Sequence, residues 1–264
     1  MSYSNTIKDK KEEDKLLIAK LEDKVQFCNS KNKITYTDFM QLEEKSIAKK
    51  FLNQNRIENY FFFGGAENSD REILVFFPDK LNQELVRKSL SEVLKVIRIN
   101  LPLEQDYEHR EYLSGIMKLG VKREKFGDII VRRNGADIVV LSEISSYFLN
   151  NLKELTRFRK ADISLVSILD LHKKEDYFEN LKIIISSIRL DNFVAELSKV
   201  SRGKAQEILK EGRVFINGIN EIKESKKLQI GDKITIRGKG KFIFEGIERE
   251  TKSNKIVVNI NKYC

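Results

Sequence analysis

The feature that most constrains this chain is the dipeptide Asn134-Gly135, set between two β-type runs at residues 128–133 and 136–141. Asn-Gly readily takes the positive φ angles of a tight turn, so the two runs are expected to pair as a hairpin. The flanking segments extend the pattern. A β-type run at 93–101 is stopped by Pro102, and a helical stretch at 109–119 by Gly120. After the hairpin, Ile144, Phe148, Leu152 and Leu155 recur at spacings of four, four and three, the period of an amphipathic helix over 144–158. A last β-type run covers 163–171.

From residue 93 the order is therefore β-α-β-β-α-β, the split pattern of ferredoxin-like folds, which RNA-recognition (RRM) folds share. With the run at 73–77, ended by Pro78-Asp79, a central α+β domain is expected over 73–180. An RRM stacks bases on aromatic residues of its two central strands. Here those strands, 93–101 and 136–141, contain no aromatic residue, so the stacking chemistry is absent. The loop Lys122-Arg123-Glu124-Lys125 reads equally as a phosphate contact or a solvated loop.

Residues 1–72 read as a mainly helical domain. Leu17, Leu21, Val25 and Cys28 fall at helical spacing, and Thr37 is placed to cap a helix over 38–52 carrying Phe39, Met40, Ile47, Phe51 and Leu52. The segment 60–63 follows, closed by Gly64-Gly65.

The chain carries 49 Lys and Arg against 40 Asp and Glu, a net charge of +9. Residues 182–264 hold eighteen of the basic and ten of the acidic residues, a net of +8, which leaves 31 against 30 for the other 181 residues. Charge concentrated in one segment is the footprint of a nucleic-acid-binding module; a basic tail that aids solubility is the competing reading. Cys28 and Cys264 lie too far apart in sequence for a thiolate metal motif, and His109 and His172 sit in no HxxxH or HExxH setting. No metal or cofactor is expected. The longest uncharged apolar stretch, 73–78, is far short of the ~20 residues of a membrane span, and no apolar segment follows the charged first residues, so a cytoplasmic protein is expected. No GxGxxG, P-loop or GxSxG motif is present.

Residues 182–264 contain the candidate site. Asp191 is placed to cap a short helix over 192–200, whose Phe193, Val194, Leu197 and Val200 face inward. Ser201 is placed to cap a second, over 202–211, stopped by Gly212. On that helix Arg202, Gln206 and Lys210 fall within roughly 80° of arc beside the apolar positions Ala205, Ile208 and Leu209. A strand at 213–216 enters the Asn217-Gly218 turn, Gly231-Asp232 precedes a strand at 233–237, and Gly238-Lys239-Gly240-Lys241 forms a basic turn. Arg202 and Lys204, at a helix N-terminus with exposed N–H groups, are the first candidates for phosphate contact, against a competing pairing of Arg202 with Glu207. Arg189 reads equally as an RNA contact or as the partner of a carboxylate. Lys210, Arg213, Arg237, Lys239 and Lys241 are secondary candidates.

These residues resemble the S4 RNA-binding domain family: Arg189-Leu190-Asp191, Ser201-Arg202-Gly203-Lys204-Ala205-Gln206, Gly212-Arg213-Val214-Phe215-Ile216-Asn217-Gly218, Gly231-Asp232 and Arg237-Gly238, in that order. Upstream, Gly64-Gly65 with Asp70-Arg71 and Pro78, and His109-Arg110-Glu111-Tyr112-Leu113 through Gly120 to Gly127-Asp128-Ile129, are similar to bacterial YlmH-type proteins. Asn68-Ser69 before Asp70-Arg71 and the lysines 239 and 241 depart from that pattern. The resemblance implies an α+β chain with an S4 (α-L) domain over 182–264. It implies a non-catalytic RNA-binding protein of the translation machinery that binds structured rRNA or tRNA through its S4 domain, on the large ribosomal subunit with peptidyl-tRNA in rescue or quality control of stalled complexes, and is monomeric off the ribosome. The RNA-binding positions it implies are Arg189, Asp191, Ser201, Arg202, Lys204, Ala205, Gln206, Lys210, Arg213, Asn217, Arg237, Lys239 and Lys241. Two alternatives stand beside it. One is an RNA-modifying enzyme of pseudouridine-synthase type, whose catalytic aspartate also lies in an Arg-Leu-Asp context. The other is a nucleic-acid-binding factor linked to cell division.

Overall fold

The computed structural model describes residues 3–103, 105, 107–172 and 178–263, with side chains from Glu12 onward. Cys264 lies outside the described residues. The chain divides into two compact units, residues 1–174 and 175–264.

The first unit begins with α1 (Tyr3–Lys31), β1 (Thr35–Tyr36), α2 (Leu42–Gln54), β2 (Tyr60–Phe63), β3 (Ile73–Phe76) and α3 (Gln83–Ser89). It is not only helical: β1, β3 and β2 form a three-stranded antiparallel sheet in that order. The run at 73–77, grouped by sequence with the elements after it, is the centre of this sheet. A run buried on both faces announces a strand but not the sheet it joins. The second helix starts at Leu42 rather than 38, because Met40 bridges to Glu72. Gln41 and Glu44 cap it reciprocally, while the Thr37 hydroxyl accepts a hydrogen bond from the Leu74 N–H at 2.9 Å.

The expected split pattern follows: β4 (Leu94–Asn100), α4 (His109–Met117), β5 (Phe126–Arg132), β6 (Gly135–Leu141), α5 (Ser142–Asn151) and β7 (Asp162–Ser167). The strand order β5-β6-β4-β7, antiparallel throughout, is the ferredoxin-like arrangement with β4 and β6 central. The hairpin turns at Arg133-Asn134, one residue earlier than expected. Asn134 takes the left-handed conformation (φ 57°), and Gly135 pairs with Arg132. A Cβ on Gly135 would lie 2.2 Å from the Ile99 carbonyl oxygen, so glycine is needed for strand packing. The helical stretch read over 144–158 ends at Asn151 and continues as two 3-10 turns.

Along β4 and β6, alternate residues face opposite ways. Ile97, Ile99, Ile138 and Val140 join Tyr112, Phe148 and Phe158 in a core with α4 and α5. Leu94, Val96, Val139 and Leu141 point to the other face and form a second core with Phe61, Ile73 and Val75 of the N-terminal sheet and with Phe39, which follows β1. Every residue of β6 is therefore buried. The face on which an RRM stacks its RNA is closed here by the chain's own first sheet. Leu94→Ala should accordingly cost about 2–5 kcal/mol, as for a core leucine, measured as a fall in the urea midpoint. A change near zero would mean that the face is open in solution.

The remaining part of that face is polar and closes around Asp137, which is fully buried. Arg98 donates to its carboxylate through Nε and Nη2 (3.0 and 2.8 Å), and Arg132 through Nε at 3.2 Å. The His172 backbone N–H donates at 3.1 Å, and its ring Nδ1 lies 2.8 Å from Oδ2. Arg98 also donates to the Asp170 carbonyl at 2.7 Å. The cluster thus ties the segment at 170–172 across the sheet. Burial pushes the Asp137 carboxyl up, but the hydrogen bonds from Arg98 and His172 and the charge of Arg132 outweigh it and bring it down to about 2.

The second unit contains β8 (Phe178–Ile185), α6 (Leu190–Ser198), α7 (Arg202–Lys210), β9 (Val214–Ile216), β10 (Ile219–Asn220), β11 (Lys233–Ile236), β12 (Gly240–Glu250) and β13 (Ile256–Tyr263). The strands form one sheet in the order β10-β9-β11-β12-β13-β8. Leu190, Phe193 and Val194 of α6 and Ala205, Ile208 and Leu209 of α7 share a core with one face of it. None of the described helices is long and apolar enough to cross a membrane.

Candidate nucleic-acid interface

The site is built on the joint between α6 and α7. Helix α6 spans Leu190–Ser198, two residues earlier than expected, and ends where Lys199 takes the left-handed conformation (φ 55°). Ser201 then caps α7, its hydroxyl accepting from the Lys204 N–H at 3.3 Å. The positive end of α7 and the Arg202 side chain are thereby presented together, and Arg202 to Lys204 are exposed. Nothing in the protein lies within 4 Å of where a Gly203 Cβ would be.

Asp191 does not cap α6. It sits in the first turn, behind Arg189 at the N-cap position, and is fully buried. Its carboxylate accepts from Arg189 Nε and Nη2 at 3.1 and 3.0 Å, and from Arg202 Nε and Nη2 at 2.9 and 2.7 Å. The Asn192 N–H donates to it at 3.1 Å. Burial pushes this carboxyl up, but the hydrogen bonds and charges of Arg189 and Arg202 hold it below the usual carboxylate range. Arg189 places one donor on each carboxylate oxygen and Arg202 places both on Oδ2, and two guanidinium groups on one buried anion leave a net positive charge. The Nη1 donors of both arginines are not engaged by Asp191, and the side chains of Arg202 and Arg189 are 56 % and 35 % exposed. Arg189 thus ties the domain's first turn to a carboxylate and keeps an exposed edge.

The other candidates divide into two groups. On α7, Lys204 pairs with Glu207 at 2.5 Å, while Gln206 donates to Glu224 at 2.7 Å and Lys210 lies 3.6 Å from it. At the ends of β9, β11 and β12, Arg213 donates to Glu211 at 3.2 Å and to the Arg237 carbonyl at 2.9 Å, with Arg237 and Lys239 exposed and Lys241 half-buried.

Three expected contact residues have internal roles. Asp191 is the buried counter-ion. Ala205 is fully buried in the core beneath α7, because it lies on the helix face shared with Ile208 and Leu209. Asn217 opens a tight turn with Gly218 (φ 52° and 78°), and its amide donates to Asp232 and accepts from the Lys233 N–H. The loop at 122–125 is likewise tied inward. Arg123 donates to the Phe126 and Gly127 carbonyls, and Lys125 binds Asp38 and Glu143. Sequence reasoning missed Glu224, the acid holding Gln206 and Lys210; nothing local to residue 224 signals it.

Two family profiles match the chain: the "Putative RNA-binding domain in YlmH" at residues 91–169 and the S4 domain at residues 188–234. The chain is 28 % identical over 224 residues to the "Ribosome-associated protein quality control protein P2" of Bacillus subtilis (strain 168), covering 83 % of each chain. A solved structure, "Cell division protein ylmH from Streptococcus pneumoniae", matches at 19 % identity and a TM-score of 0.43, over 59 % of this chain and 90 % of that one. The chain accordingly carries a domain that matches the RNA-binding domain of YlmH over residues 91–169 and an S4 domain over residues 188–234.

Proposed function

We propose that the chain binds structured RNA of the large ribosomal subunit through the α6–α7 joint, acting with peptidyl-tRNA on stalled complexes, and that it is a binding protein rather than an enzyme. The observation that carries the reading is the pair of guanidinium groups, exposed Arg202 and half-buried Arg189, held on buried Asp191 beside the capped N-terminus of α7. Guanidinium donors held in place and a helix N-terminus recognise phosphate groups by shape and charge, as structured RNA requires. The name of the Bacillus subtilis relative supports the ribosomal and quality-control setting. A catalytic aspartate must reach its substrate. Asp191 is fully buried with both oxygens hydrogen-bonded, which speaks against the synthase alternative.

The test is sedimentation of lysates on sucrose gradients, with crosslinking and sequencing of the bound RNA. The wild-type chain should run with free large subunits and crosslink to their RNA, while Arg202→Glu/Lys204→Glu stays at the top. A wild-type chain at the top with no enriched RNA, or a double variant that sediments like wild type, would sink the proposal.

A further inference from the structure

Among the described residues, the second unit's sheet carries its helices on one face only. Ile260, Val258, Leu181 and Ile183 point into the core beneath α6 and α7. Because side chains alternate along a strand, Tyr263 and Asn261 of β13, and Phe178 and Asn180 of β8, point to the opposite face. Tyr263 and Phe178 are cross-strand partners with ring centroids 4.8 Å apart, and Phe178 is 43 % exposed. Lys241 lies one residue along from the Phe242–Lys262 pair, so it shares this row of the outer face beside Tyr263. In the next row, Asn180 is paired with Asn261, and Asn261 with Ile243, which pairs with Lys233.

We propose that this outer face is a second RNA-binding surface, on which Phe178 and Tyr263 stack a base of a single-stranded segment while Lys241 and Lys233 hold its phosphates. Three chemistries converge here. Aromatic rings on an open sheet stack bases irrespective of sequence, the Asn180 amide is placed to bond a base edge while that of Asn261 donates to Glu245 at 2.8 Å, and lysines neutralise the backbone. The central domain offers no such platform: its strands β4 and β6 lack aromatic residues and its RRM-type face is closed. The β8–β13 edge lies outside the spans matched by either family profile, 91–169 and 188–234. Lys241 also follows directly on the exposed turn of Arg237 and Lys239, so the platform is continuous with the basic end of the sheet. The inference rests on the proposed function only in taking RNA as the ligand.

The test compares two RNAs with the full chain: a hairpin, and the same hairpin carrying a single-stranded hexanucleotide extension. The extension should tighten wild-type binding roughly 5- to 100-fold, the range expected when one base stacks on an aromatic platform. Phe178→Leu/Tyr263→Leu should remove that gain and leave hairpin affinity unchanged, and Lys241→Gln should reduce it in part. Crosslinking at 254 nm should join the extension to a peptide containing Phe178 or Tyr263 in the wild-type chain, a readout that needs no variant. Equal wild-type affinity for the two RNAs, a gain that survives in the folded double variant, or crosslinks confined to other peptides would overturn the proposal. The rings would then serve only as a cross-strand pair within the sheet. Failure of the α6–α7 reading is separable, because it appears as hairpin binding that Arg202→Glu does not weaken.

Discussion

Asp137→Ala is expected to destabilise the first unit by about 3–5 kcal/mol, the cost of removing one partner from a buried ion pair. The size follows from what remains. The side chains of Arg98 and Arg132 are only 20 % and 18 % exposed, and each would lose its anion without gaining water. The segment at 170–172 would lose the hydrogen bond that Asp137 accepts from the His172 backbone N–H. Replacing Arg98 and Asp137 together by apolar residues should cost less than the single change, because no charge is then stranded. The carboxyl, held at about 2 against an ordinary value of 3.8, also links stability to acid. Its contribution, about 2 kcal/mol, is complete above pH ~4 and is lost as the pH falls towards 2, where the folded state also protonates. Hydrogen exchange of β4 and β6 amides at pH 7 and pH 3 reads both effects within the unit concerned. A wild-type opening free energy equal at the two pH values, or an Asp137→Ala loss below ~1 kcal/mol, would show that the cluster is not an anchor.

The same cluster shows where the sequence was readable and where it was not. The β-α-β-β-α-β order is carried by local periods and by Gly120 and Pro102, so it could be read directly. The closure of the sheet was partly encoded as well. In Ala136-Asp137-Ile138-Val139-Val140-Leu141 the apolar residues do not alternate with polar ones, and such a run belongs to a strand covered on both faces. What covers it is a sheet more than sixty residues upstream, and no local period encodes that. The same limit explains Ile73–Phe76, visible as a strand but assigned to the wrong neighbours, and β8, which pairs with β13 at the far end of the chain. At the site, Ser201 was legible because a cap acts on N–H groups three residues away. Asp191 was misread as a cap because its decisive partner, Arg202, is eleven residues on and is brought to it only by the packing of α6 on α7. Ala205 illustrates the reverse error. The family pattern offers it as an interface position, whereas helical spacing alone already places it with Ile208 and Leu209 in the core.

Asp191→Asn should weaken RNA binding, although it makes the chain more positive. On charge alone, removing an anion from a phosphate-binding site strengthens attraction. On geometry, it removes the acceptor that holds both guanidinium groups and sets an amide N–H against their donors. Each freed arginine regains up to about 2 kcal/mol of rotamer entropy that binding must remove again. That outweighs a single charge seen through solvent, worth about 1 kcal/mol at contact distance. The expected result is roughly tenfold weaker binding with an unchanged slope of log affinity against log salt, because no phosphate contact is lost. Arg202→Glu should behave differently. It deletes a charge-assisted hydrogen bond worth about 1.5–3 kcal/mol and places a like charge near RNA and Asp191, so affinity should fall at least ten- to a hundredfold. The salt slope should then also fall by about one unit. Titrating the two variants over a salt series, with circular dichroism to confirm that both are folded, separates positioning from contact. Tighter binding by Asp191→Asn would mean that the carboxylate opposes RNA and that the arginines need no such holder.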